Sequence, residues 1–410
     1  MIFLALIYLA FISLGLPDAV LGSSWPIMNV EFRVPVENAG FVSIMISACT
    51  ILSSLFSHRL VRRFGTGKVM VVSVALTAVA LLGFSLSPSF PWLLACAVPL
   101  GLGGGAVDSG LNEFVAEHYE ARHMNWLHCF WGVGAMLGPA LISVLALWGR
   151  TWRSGYFSIS IIQFALVALL IFSLPMWKKF ENPSAEPAEE IRQGKEKHSL
   201  LTMLRAKGSV FVMLSFLLNA SMEASMMLWG ASYLVKMKGI LPESAAGWVS
   251  LFFLGVTVGR MVSGFVSMKL SNEALIRLGT LFLIVGFIFM ILPFPAMFAI
   301  GAFILVGLGL APIYPSMLHQ TPVYFGKENA QAVMGLQMSF AYTGNTFMAP
   351  LFGQLFANVS FSLMPCVLLV CAVGLLACRA HLISITKKKS PVQESEDKAE
   401  NHEAGQTLES

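Results

Sequence analysis

Charged side chains are scarce in this chain: Asp, Glu, Lys and Arg make up 12% of its 410 residues, about half the share near 25% of a soluble domain. Hydrophobic residues reach 56% and the mean hydropathy is +0.75. The apolar surface exceeds what one compact core could bury, so lipid must be the solvent. The net charge of +4 is small and dispersed, which argues against nucleic-acid binding. No GxxxxGK[ST] occurs, so ATP hydrolysis is not expected and energy has to come from a gradient. The six cysteines, at 49, 96, 129, 366, 371 and 378, show no CxxC spacing and read as small core residues. No metal-ligand cluster and no nucleophile beside a base appears at usable spacing, so neither a cofactor nor an enzymatic activity is expected. The opening MIFLALIYLAFISLGL lacks a basic n-region and runs into more apolar chain, which makes it a first membrane span.

Runs of about 20 apolar residues suffice to cross a bilayer, and twelve are present. They cover 4–29, 38–57, 69–88, 91–116, 125–148, 155–176, 209–235, 244–266, 275–293, 295–318, 329–356 and 359–382. One set of alternate segments holds twenty Lys and Arg, whereas the opposite loops hold Arg33, Arg150, Arg153, Lys236 and Lys238. Positive loops stay inside, so both termini are expected in the cytoplasm and the protein in the inner membrane. Residues 177–208 are densely charged and read as a cytoplasmic linker between bundles at 1–176 and 209–384. The polar tail 385–410 reads as disordered. GFVS at 40–43 recurs as GWVS at 247–250, GLG at 101–103 recurs at 307–309, and Asp18 has a counterpart in Glu223. The near-equal offsets point to an internal repeat, and thus to an all-α protein of two pseudo-symmetric six-helix bundles.

An intramembrane carboxylate is a functional hypothesis by default. Asp18, Asp108 and Glu223 lie in the first, fourth and seventh spans and are expected to face one central cavity as proton-coupling groups. Proton affinity in such a cavity depends on whether water or a cation reaches the carboxyl. Trp25, Asn112, Asn219, Trp229, Tyr314, Gln337, Tyr342 and Asn345 put amides and aromatic faces on the same spans, which suits a neutral polyhydroxylated ligand. His128 and His319 have no metal-ligand company and read as packing or interface residues, and Glu113 as a solvated or gating residue. GLGGGA at 101–106 has the letters of a dinucleotide fingerprint but no preceding strand, so its small residues serve close helix approach.

Twelve spans, a charged central loop and basic inner loops resemble the major facilitator superfamily over residues 1 to about 385. Its gating loop after the second span, G-x-x-x-D-R-x-G-R-K, is matched by HRLVRRFGTGK, which keeps Gly65 and basic residues including Arg63 but has Arg62 at the acidic position. The repeat copy, GFVSMKLS from 264, keeps Gly264 and Lys269 with Met268 in place of the acid. Several stretches are similar to the fucose, galactose and glucose proton symporters: LPDAVLG, GLGGGAVDSGLNEFV, EASMMLWGASYL, GVTVGRMVSG and GLGLAPIYPSML. That resemblance implies proton coupling and sugar binding at Asp18 and Asp108, with Asn112 beside the latter; the family often has Glu where Asp108 stands. It implies a monomeric secondary transporter that moves a sugar or similar small polar solute together with a proton. GVGAMLGP resembles the G-x-x-x-G-P of drug antiporters through Gly134, Gly138 and Pro139, which keeps proton-driven efflux as the alternative. A transport-inactive receptor or scaffold is the third.

Overall fold

The protein is described by a computed structural model over residues 2–119, 121–177 and 208–387. The charged segment 178–207 and the tail beyond 387 lie outside the described residues. The helices, in chain order, are α1 Ile2–Asp18, α2 Val20–Glu31, α3 Ala39–Phe64, α4 Thr66–Ser85, α5 Phe90–His118, α6 Ala121–Leu147 and α7 Trp152–Trp177. Then come α8 Ser209–Lys238, α9 Pro242–Val266, α10 Asn272–Ile291, α11 Ala296–His319, α12 Thr321–Phe325, α13 Lys327–Thr343, α14 Ala349–Asn358 and α15 Leu363–Lys387. The last helix runs past the expected bundle boundary at 384.

Eleven helical stretches among the described residues are long and apolar enough to cross a membrane, α1 and α2 together making the first. The expected eleventh span, 329–356, is present as α13 and α14 joined by a π-helical turn, Gly344–Met348. Two features of the sequence account for that turn. Pro350 has no N–H to continue the ladder, and Gly344 lies so close to α8 that a Cβ there would be 2.6 Å from the Leu217 carbonyl oxygen.

Pro17 similarly interrupts the first span just before the helix pauses at Ala19. A proline leaves the carbonyl four residues earlier without its helical donor. Here that carbonyl, Ser13, receives the Gln163 Nε2 of α7 at 2.6 Å, and the Ser13 hydroxyl donates back to Gln163 Oε1 at 2.5 Å.

Packing follows a two-fold rule. In the first half α1 packs on α6, α3 on α5, and α4 on α5 and α7; in the second half α8 packs on α13, α9 on α11, and α10 on α11 and α15. Each pair maps onto its counterpart six spans later. Between halves, α2 meets α8, α6 meets α9, and α3 meets α14. Exchanging the halves swaps the last two contacts and keeps the first, so two pseudo-symmetric six-span bundles are present. All three contacts reach the end far from the termini, and α6 and α9 also touch further along, at Gly132 and Thr257. At the far end Gly22 of α2 sits against the α8 backbone at Met227 and Leu228, Gly40 against Pro350, and the Ser143 hydroxyl donates to the Glu243 carbonyl at 2.6 Å. The bundles are sealed at that end and part toward the end that carries the termini.

Candidate functional site

Where the bundles part, a cavity of about 380 Å³ opens, lined by residues of α1 to α7 of one half and of α8, α9, α11, α13 and the π turn of the other. Asp18 closes α1, and its Oδ2 accepts the Trp131 Nε1 of α6 at 2.7 Å. The carbonyl freed by Pro17 is taken by Gln163, so Asp18 is not needed to satisfy backbone and is left for the cavity. Asp108 lies within α5 and its Oδ1 accepts the Asn112 Nδ2, one turn further on, at 2.9 Å. Glu223 of α8 faces Arg260 of α9, Oε1 to Nη2 at 3.5 Å. The Arg260 guanidinium also lies 5.3 Å from the centroid of the Trp131 ring, a cation over an aromatic face.

Asp18, Trp131, Arg260 and Glu223 thus form one chain of contacts from the first half to the second, all of it on the cavity wall. Three carboxylates share the cavity with one guanidinium. Arg260 pairs with Glu223, and among the described residues neither Asp18 nor Asp108 has a cation at ion-pair distance. Neutral groups surround them: Ser13, Ser43, Ser47, Thr50, Thr346, Asn345 and the phenols of Tyr314 and Tyr342.

Of the residues singled out from the sequence as proton-coupling or solute-contacting, Asp18, Asp108, Glu223, Tyr314, Tyr342 and Asn345 line this cavity. Others expected to contact solute stand elsewhere. Trp25 is fully buried and its Nε1 donates to the Val36 carbonyl at 2.5 Å, while Trp229, also fully buried, donates to the Ala349 carbonyl at 2.7 Å. Each indole anchors a neighbouring segment rather than facing the cavity. Gln337 is buried against Thr321, with amide-to-hydroxyl distances of 2.8 and 3.0 Å, and ties α13 to α12. Asn219 is 1% exposed, and neither polar atom of its amide has a partner among the described residues. Asn112 reaches Asp108 rather than the cavity wall itself.

The basic loop also differs from a charge relay. Gly65 takes φ +83°, a left-handed conformation that glycine adopts without strain, and so turns α3 into α4. Arg62, Arg63 and Lys269 are exposed, with Arg63 stacked 5.3 Å over Phe64. Near this end Glu113 is bonded to His58 at 2.7 Å across α3 and α5. Gly134 and Gly138 face the α1 backbone at Ile12 and Leu16, where a side chain would collide, so close packing accounts for them. His128 lines the cavity, and His319 stands beside Asn272 at 3.2 Å.

Two site residues were missed in the sequence. Arg260 carried a usable signal, since a lone cation inside an apolar span is as costly there as an acid. Trp131 carried none, since nothing in NWLHCFWG says which ring faces inward.

The major facilitator superfamily model matches residues 7–349 and again 241–406. Curated relatives include Bypass of stop codon protein 6 of Saccharomyces cerevisiae, 26% identical over 75% of this chain and 67% of that protein. The glucose/mannose transporter GlcP of Bacillus subtilis is 22% identical over 84% of this chain and 86% of that one. Among solved structures, a peptide transporter POT mutant superposes with a TM-score of 0.74 at 14% identity, covering 93% of this chain and 95% of that chain. The nucleoside transporter NupG superposes with a TM-score of 0.70 at 13% identity, covering 93% and 98%. The chain belongs to the major facilitator superfamily and is a multi-pass membrane transporter.

Proposed function

We propose that the protein takes up a neutral sugar or similar polyhydroxylated solute together with a proton, by alternating access of the two bundles around the cavity. The observation that carries this reading is the cavity wall. Asp18 and Asp108 face it without a cationic partner among the described residues, amid hydroxyls and amides of both halves. A neutral solute matches the hydroxyls and amides, and the unpaired carboxyls are groups that bind and release a proton at the point where the halves meet. The similarity to a glucose/mannose transporter supports the solute class. Asn112 holds Asp108, while Tyr314, Tyr342 and Asn345 are the solute contacts among the residues read from the sequence. The excess of Lys and Arg on the loops at the open end makes that end cytoplasmic, so this conformation is inward-open.

The test is the external pH of proteoliposomes during solute addition, with a panel of neutral sugars and polyols beside a panel of cationic drugs. Uptake of a sugar with alkalinisation of the medium, lost in Asp108→Asn, is the expected result. Proton movement opposed to a drug would establish efflux instead, and silence on both panels would overturn the coupling reading.

A further inference from the structure

On the cavity wall, Trp131 touches charged groups of both halves. Its N–H holds the Asp18 carboxyl at 2.7 Å, and its ring face carries the Arg260 guanidinium at 5.3 Å. It meets Phe253 of α9 edge to face, with centroids 6.3 Å apart and planes at 76°, so the ring is packed against the second half. One residue along, Gly132 lies against Thr257, a Cβ there falling 2.5 Å from its hydroxyl, so α6 and α9 are in direct contact at this level. The guanidinium is only loosely held on its other side, 3.5 Å from Glu223.

We propose that Trp131 is a positioning residue that makes proton binding at Asp18 depend on the placement of Arg260 in the opposite bundle. The inference deepens the proton-coupled reading above and rests on it. Movement of α9 against α6 carries Arg260 off the indole face or drags the indole from Asp18, because one rigid ring cannot keep both partners through a change of angle between them. Either displacement alters the charge that Asp18 faces. By linkage, a proton on Asp18 then biases the position of the second bundle by the same free energy. The coupling needs no direct contact between Asp18 and the solute.

The ionisable groups that face Asp18 across the cavity are Asp108 on α5, His128 on α6, Tyr156 on α7, Glu223 on α8, Arg260 on α9, and Tyr314 and Tyr342 on α11 and α13. The test therefore reads Asp18 through its own indole. An indole bonded to a carboxyl changes its emission when that carboxyl changes charge, and the other tryptophans cancel in the difference between wild type and Trp131→Phe. The probe is the proton alone, titrated on the full-length protein in nanodiscs. The difference signal is expected to show one pH step, absent when Asp18→Asn is added to both proteins and retained with Asp108→Asn. Arg260→Gln takes the cation off the indole face and should move the midpoint by about half a pH unit, the worth of a cation over an aromatic ring, while Arg260→Lys leaves it nearer the wild-type position. Glu223→Gln, which unties Arg260 without removing it, should also move the midpoint and serves should Arg260→Gln not fold.

No step, a step that survives Asp18→Asn, or a midpoint indifferent to both Arg260→Gln and Glu223→Gln would overturn the proposal. The titration uses no solute. Absence of proton flux in proteoliposomes would thus remove the transport reading without touching this result, and a failed titration would leave the transport reading in place.

Discussion

At the scale of single residues, the cavity separates carboxyls by the company they keep. Glu223 has Arg260, whereas Asp18 and Asp108 have an indole N–H and an amide N–H. A neutral donor keeps a carboxyl oriented and leaves its charge unbalanced, which is the condition for a group that exchanges protons. Asp108→Asn preserves size and position but cannot carry the charge. It is expected to abolish uphill accumulation of solute while solute exchange between loaded vesicles and medium continues; loss of both together would make Asp108 a binding residue instead. Outside the cavity, Arg379 is 1% exposed and donates to Glu273 Oε2 at 2.7 Å and to Gln320, joining α15 to α10 and to the junction of α11 and α12. Glu273 keeps Arg277 at 3.3 Å, so what Arg379→Met removes is the charge-assisted hydrogen bonding of a buried guanidinium, a cost of about 2 kcal/mol of stability, read as a lower midpoint of thermal unfolding in detergent. The residue scale is also where the sequence was least informative. Composition shows that tryptophans sit in the cavity-forming spans, but a helix hydrophobic on all sides has no stripe to say which way a ring points. Trp25 and Trp229 were expected to contact solute and turn out to bond backbone carbonyls, while Trp131, not singled out, holds Asp18.

At the scale of helices, the spans were legible because the bilayer imposes a minimum apolar length that few other structures need. Their interruptions were legible only as residues, a Pro17 or a Pro350, and not as shapes. Whether a proline bends a helix, pauses it or opens a π turn depends on which neighbour supplies the missing hydrogen bond, and that neighbour is distant in sequence. Gln163 lies 150 positions from Ser13. Trp229 acts in the same way on the broken eleventh span: its N–H reaches Ala349 and its ring covers Gly353 of α14, fastening that segment to α8. Trp229→Phe keeps much of the ring and loses the hydrogen bond. It should lower stability by about 1 kcal/mol, the net worth of one buried hydrogen bond, and leave the KM for solute unchanged. A rise in KM at unchanged stability would return Trp229 to the binding site.

At the scale of the whole molecule, the seal between bundles is built from small residues where helices cross, and small residues are what a rocking interface needs, because close approach there is lost cleanly when the angle changes. The best-placed pair lies at the α6–α9 crossing. A Cβ on Gly247 would stand 3.3 Å from the Ser143 Cβ, close to the separation of about 3.5 to 4.5 Å in disulfides. In a background with the six native cysteines replaced, Ser143→Cys with Gly247→Cys should therefore form an inter-bundle disulfide under mild oxidation. The bond would hold the far end shut while the cavity stays open toward the termini. Uptake should stop on oxidation and return with reductant. A cysteine placed at Asn345, on the cavity wall, should stay reactive to a membrane-impermeant thiol reagent applied from the side of the termini and become unreactive from the other side. If oxidation cross-links the pair and uptake continues, the two bundles do not separate at this crossing, and access to the cavity must alternate through movements within each bundle rather than between them.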